Sequence, residues 1–99
     1  MKEKVLKIIN RYGVIPQLKY FQSEVFELNE AIIRHENLPS GMYQPIKNIY
    51  KEHITEEIAD VMVMLYQFKE YYGISNEEIT DIMKYKIDRQ LERIGKERE

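Results

Sequence analysis

No cysteine occurs in this 99-residue chain. Disulfide frameworks, thiol nucleophiles and zinc–thiolate sites are thereby excluded. Proline and glycine are scarce, with 3 and 4 residues, so few breakers interrupt regular structure. No apolar run approaches the ~20 residues that span a bilayer. The opening stretch MKEKVLKIINRYG is too charged for a signal peptide. The expectation is a cytoplasmic protein with no membrane association. A global basic field is missing too: the formal net charge is -2, which disfavours nucleic acid as a partner.

What is there suits a soluble globular chain. The hydrophobic fraction is 43% and the charged fraction 32%, which argues against general disorder. The length predicts a single domain over residues 1–99. Acids and bases interleave until the C-terminal end, where Lys84, Lys86, Arg89, Arg93, Lys96 and Arg98 gather.

The few breakers divide the chain cleanly. Gly13 and Pro16 close a short amphipathic segment carrying Val5, Leu6, Ile8 and Ile9. Pro16 then opens a long helix, since its missing N–H has no partner in a first turn anyway. LPSGMYQP ends that helix. A second long helix is expected from Ile46 or Lys51 to Tyr72, with Gly73 as its C-terminal cap. Ser75 and Glu78 form a capping-box pattern that starts a third long helix, expected to fray past Gly95. No strand pair is evident. The fold class is all-α: an antiparallel helical bundle with short connections.

At about 100° per residue, Leu18, Phe21, Val25, Leu28 and Ile32 form the apolar stripe of the first long helix. Ile54, Ile58, Val61, Leu65 and Phe68 form that of the second, while Ala59, Val63 and Tyr66 lie on nearly the opposite side. A helix apolar almost all round must be buried almost all round. So short a chain does not readily supply that cover alone, so the bundle is expected to be completed by oligomerisation.

Four acids disturb these stripes. Glu57 falls inside the apolar arc of HITEEIADVMVMLYQF, with Asp60 at its edge. Glu24 and Glu27 repeat the arrangement on the first long helix. Residues three apart share a face, so each pair can converge on one point. Burying several carboxylates together is costly, and a divalent cation removes that cost. Oxygen-only ligands suit Mg²⁺, with Mn²⁺ as a substitute. Redox di-iron chemistry would want Glu-x-x-His, but Ile32 and Tyr50 precede His35 and His53 at that spacing. On the third long helix Ile79, Ile82 and Met83 mark the expected inward face. Lys86 and Arg93 continue it, with Arg89 beside them, as candidates to neutralise phosphates.

YGVIPQLKYFQSEVFELNEAI, HITEEIADVMVMLYQF and KIDRQLERI, taken in order, resemble the MazG-like all-α nucleoside triphosphate pyrophosphohydrolases over roughly Tyr12 to Ile94. That family carries E-E-x-x-E on one helix and E-x-x-D on a later one. Here the second part is intact as Glu57-Ile58-Ala59-Asp60, and the first reads Ser23-Glu24-Val25-Phe26-Glu27, with Ser23 in place of the leading acid. The resemblance implies Mg²⁺-dependent hydrolysis between the α and β phosphates of a (d)NTP, by a homodimer or homotetramer that cleans or balances nucleotide pools. Glu24, Glu27, Glu57 and Asp60 would be metal ligands, with Glu24 or Glu27 orienting the attacking water as the catalytic group. Lys86, Arg89 and Arg93 would bind the phosphates, and Gln17 would reach toward the nucleoside. Phosphoribosyl-ATP pyrophosphohydrolases and all-α dUTPases share this plan, and the contents of a pocket formed by Gln17, Tyr20 and Tyr43 would bear on the choice. A non-catalytic helical oligomerisation module is the alternative of a different class.

Overall fold

A computed structural model describes residues 1–97; Arg98, the last base of the C-terminal cluster, lies outside them. Regular structure among these residues is entirely helical: α1 (Lys2–Tyr12), α2 (Val14–Glu36), α3 (Gln44–Tyr71) and α4 (Asn76–Glu97).

The punctuation residues act where the sequence puts them. Gly13 takes φ 89°, and its N–H bonds the Ile9 carbonyl at 2.8 Å. Pro16 follows inside the first turn of α2. Pro45 occupies the first turn of α3, which begins at Gln44, ahead of either expected start. At the other end of α3, Gly73 adopts φ 66°. Its N–H bonds Glu70 at 3.2 Å and that of Ile74 bonds Lys69 at 3.0 Å, the pair of bonds that defines a Schellman stop. The capping box forms as expected: Ser75 N–H donates to Glu78 Oε2 at 2.7 Å, and Glu78 N–H donates to Ser75 Oγ at 3.0 Å. The helix it starts continues past Gly95 to Glu97.

Helices α2 and α3 form an antiparallel hairpin, with Phe21 and Phe68 edge to face at 5.7 Å near its open end. α1 packs chiefly on α3. The buried apolar residues are Val5, Ile9, Ala31 and Met64. Val5 and Ile9, one turn apart, anchor α1. Truncating the fully enclosed Ile9 to alanine should cost about 2–5 kcal/mol.

The inward faces are rotated from the stripes expected above. On α2 the buried residues are Gln17, Glu24 and Ala31, and Leu18, Val25 and Ile32 are exposed. On α3 they are Glu57, Met64 and Gln67, and Ile58 and Leu65 are exposed. With apolar side chains on most sides, hydrophobicity alone does not fix which stripe turns inward. The hairpin packs along 17, 21, 24, 28, 31 against 54, 57, 61, 64, 68, which brings the two glutamates into the seam.

α4 has no inward face within its own chain. No packing of α4 on another helix is found among the described residues, where only Ile79 of this helix is even half-buried. The inward placement expected for Ile82, Met83, Lys86 and Arg93 is therefore not met in the single chain. The radius of gyration is 17.5 Å, against about 13 Å for a compact chain of ~100 residues.

Candidate metal centre and adjoining cavity

Heptad-like spacing puts Glu24 on the α2 side of the seam and Glu57 on the α3 side. Asp60, one turn after Glu57, points to the same place. One carboxylate oxygen from each of Glu24, Glu57 and Asp60 lies within 4.8 Å of the others. Glu24 and Glu57 are buried, at 6% and 9% exposure, and Asp60 is exposed. Glu24 Oε2 and Glu57 Oε2 are fully enclosed and have no hydrogen-bond partner. Buried polar atoms are normally satisfied, so an orphaned oxygen on each of two neighbouring acids needs a cause.

Electrostatics mark the same spot. Burial, foremost, pushes the Glu24 carboxyl above its ordinary value. The Tyr20 hydroxyl opposes this, and the neighbouring charges of Glu27 and Asp60 add to the rise. Tyr20 is raised in turn, first through its hydrogen bonding with Glu24.

Two oxygens on opposite sides of a Mg²⁺ ion sit about 4.2 Å apart. The three acid oxygens lie within 4.8 Å of one another, so small side-chain shifts would bring them into one coordination sphere. The residues present thus fit a hard divalent cation.

Glu27 is not in this group. It is exposed on the flank of α2. Its charge still reaches Glu24. Lys86, Arg89 and Arg93 are all exposed on the unpacked α4, and their own chain does not bring them to the acids. Arg89 instead lies over the Tyr85 ring at 5.7 Å.

Beside the acids opens a cavity of about 580 Å³ between α1 and the α2–α3 hairpin. Glu24 and Asp60 line one end. Tyr12, Tyr20 and Val63 supply wall, and Gln17 and Gln67 also line it. Such a volume suits a small organic ligand. Tyr43, expected in a pocket with Gln17 and Tyr20, is exposed at the start of α3 and does not line this one.

Two further residues lie near the acids: Gln67, which the sequence does not single out, and His53, which the di-iron spacing sets aside. Gln67 is almost completely enclosed and accepts from Gln17 Nε2 at 2.7 Å. Its spacing from Asp60, two turns along one face, was the available signal. His53 Nε2 sits 3.3 Å from Glu57 Oε1; the i, i+4 spacing to a buried acid could have marked it. His35 makes no comparable contact with the acid group.

No protein-family model matches the chain, and neither does any curated protein or solved structure with which it was compared.

Proposed function

We propose that the chain is a Mg²⁺-dependent nucleoside triphosphate pyrophosphohydrolase of the MazG-like type, cleaving a (d)NTP between the α and β phosphates to the monophosphate and pyrophosphate. The observation that carries this reading is the pair of enclosed, unpartnered oxygens on Glu24 and Glu57, with Asp60 beside them, at the end of a nucleoside-sized cavity. The ordered motif Glu24…Glu27…Glu57…Asp60 supports it from the sequence side.

Glu24, Glu57 and Asp60 would hold the cation. A bound Mg²⁺ lowers the pKa of water and neutralises phosphate charge. Glu27, close to the group yet solvated, is suited to orient the attacking water and take its proton, since it keeps a free carboxylate when the other three are engaged. The cavity walls would hold the base and sugar, leaving the triphosphate directed at the acids.

A triphosphate also needs cationic partners beyond the metal's reach. Lys86, Arg89 and Arg93 are the candidates, and they stand on a helix with no packing on another helix among the described residues. In this reading α4 docks on a second copy of the chain, completing that copy's site in a homodimer or homotetramer. Uncovered Ile82, Met83, Ile87 and Leu91 on α4, and Met62 and Leu65 on α3, supply apolar surface for such docking.

The reading as a non-catalytic oligomerisation module draws on the same uncovered surface. It gives no reason for Glu24 and Glu57 each to keep an enclosed oxygen without a partner. Phosphoribosyl-ATP or dUTP specificity on this scaffold is a question of substrate, answered by the same experiment. Pyrophosphate and monophosphate release is measured over a panel of NTPs, dNTPs and phosphoribosyl-ATP, with Mg²⁺ and with EDTA. Release that EDTA abolishes is expected; silence across the panel overturns the proposal.

A further inference from the structure

Helix α1 carries a stripe of positive charge. At about 100° per residue, Lys4, Lys7 and Arg11 fall within about 60° of one another. All three are exposed, and none is ion-paired with a carboxylate among the described residues. Together with Ile8 and Tyr12 they line a shallow groove of about 370 Å³. Ile8 and Tyr12 also line the cavity beside the acids, and Arg11 lies over the Tyr12 ring at 5.8 Å. Groove and cavity therefore share a wall.

Helix α4 carries the opposite stripe. Glu77, Asp81, Asp88 and Glu92 also fall within about 60° of one another, with Lys84 at their edge. These four acids are exposed and likewise without an ion pair among the described residues. A solvated helix face gains from opposite charges four residues apart and loses from like ones. Lys7 with Arg11, Glu77 with Asp81, and Asp88 with Glu92 are like pairs at that spacing. Each stripe is unfavourable by itself, and each relieves the other if they meet. Their rise matches too, since Lys4 and Arg11 are seven residues apart, as are Asp81 and Asp88. Within one chain they are kept apart, because α4 packs on no other helix among the described residues.

We propose that the basic groove of α1 is the docking surface for the acidic stripe of α4 from a second copy of this chain, with the two helices antiparallel. This rests on the reading above that α4 docks on a second copy, and it fixes where. Both helices are right-handed, so in an antiparallel pair matching flanks lie on the same side of the contact. Going round α1 from its stripe, Ile8 and then Tyr12 come next; going round α4 in the same sense, Tyr85 and then Arg89 come next. Antiparallel docking therefore sets Arg89, with Arg93 and Lys86 further round, on the side where the groove meets the second copy's cavity. Parallel docking would put Leu91 on that side and turn the bases away. Charge matching of this kind fixes partner and register more than affinity. Apolar contact comes from Ile8 and Tyr12 against Tyr85, all of them exposed in the single chain.

The test reverses each stripe in the full chain and reads association by sedimentation velocity, with circular dichroism to check folding. One chain carries Lys4→Glu, Lys7→Glu and Arg11→Glu; the other carries Asp81→Lys, Asp88→Lys and Glu92→Lys. The wild type should associate. Each reversed chain alone sets like charges against each other and should associate about a hundredfold more weakly. Mixed in equal amounts, the two should associate again, because each reversed stripe then meets its complement at both contacts. Should a reversed chain fold poorly, Lys7→Gln with Arg11→Gln serves in its place and should weaken association about tenfold. A monomeric wild type overturns the proposal. So does a folded reversed chain, or the Lys7→Gln, Arg11→Gln chain, that associates like the wild type, and so does a mixture of folded reversed chains that stays dissociated. Association is read without substrate, which separates this result from the activity. Loss and recovery of association in a protein that turns over no nucleotide overturns the pyrophosphohydrolase reading alone. Turnover with association indifferent to both reversals overturns the docking proposal alone.

Discussion

Glu24 and Glu57 face each other across the α2–α3 seam, and each keeps one enclosed oxygen that nothing among the described residues satisfies. The two positions are the ones a simple helical hairpin would fill with leucine. The cost of this arrangement is borne by the apo protein, and it gives the first handle on the site.

Glu24→Gln removes a buried charge that lies beside Asp60 and near Glu27. Without divalent cation the variant should be more stable than the wild type, by about 1–3 kcal/mol, read as a higher Tm. It should lose Mg²⁺-induced stabilisation and most turnover in the same step. Stability gained where function is lost is the usual sign of a site under strain.

The pH dependence follows from the raised carboxyl of Glu24. A folded-state pKa above the ordinary 4.5 means that the native state holds a proton the unfolded state has released. Stability attributable to Glu24 is therefore highest below about 4.5, falls as pH rises through the folded value, and stays low above it. Tm of apo wild type minus Tm of Glu24→Gln should thus fall between pH 4 and neutrality. Glu78 acts in the opposite sense: its carboxylate, held down by the Ser75 N–H and hydroxyl, contributes stability that is lost as pH drops below its ordinary value. Taking the difference between wild type and Glu24→Gln cancels that contribution.

Ser75→Ala removes the hydroxyl that caps α4 and should cost about 1 kcal/mol of helix stability. Because α4 packs on no other helix among the described residues, the effect should appear as reduced helicity at low protein concentration. It should shrink as concentration rises, if α4 is held by a second copy. Circular dichroism across a hundredfold dilution series checks both statements.

The same docking predicts complementation. A chain carrying Glu57→Gln and a chain carrying Lys86→Ala with Arg89→Ala should each be nearly inactive. Refolded together, they should recover part of the wild-type turnover, because a mixed pair holds one site with intact acids and intact bases. No recovery would mean that the bases serve the acids of their own chain or do not serve them at all.

Much of the fold was legible in the sequence because its boundaries rest on local chemistry. Gly13, Gly73 and the Ser75–Glu78 box act through backbone geometry within a turn, so their consequences can be read without knowing the tertiary structure. The seam was harder. Helix α3 is apolar on nearly every side, and choosing Ile58 and Leu65 over Met64 and Gln67 as the inward face was a choice hydrophobicity could not make. The acids themselves were the better guide, since Glu24, Glu57 and Asp60 stood out for being misplaced. Glu27 has the same spacing from Glu24 that Asp60 has from Glu57, yet only Asp60 joins the group, and spacing alone does not tell the two apart. The Gln17–Gln67 bond joins residues fifty positions apart, and no local pattern announces such a pair. α4 was expected to pack inward because its apolar residues repeat correctly; that repeat specifies an apolar face without naming the surface that covers it.

The most direct test of the central claim, that the enclosed acids exist to hold a divalent cation, is a Mn²⁺ titration followed by electron paramagnetic resonance. Wild-type protein should take up Mn²⁺ in proportion to its chain concentration, with Mg²⁺ competing, and Glu57→Gln should lose that uptake while remaining folded. A wild type that binds no Mn²⁺, or a Glu57→Gln protein that binds as well as wild type, would contradict the account.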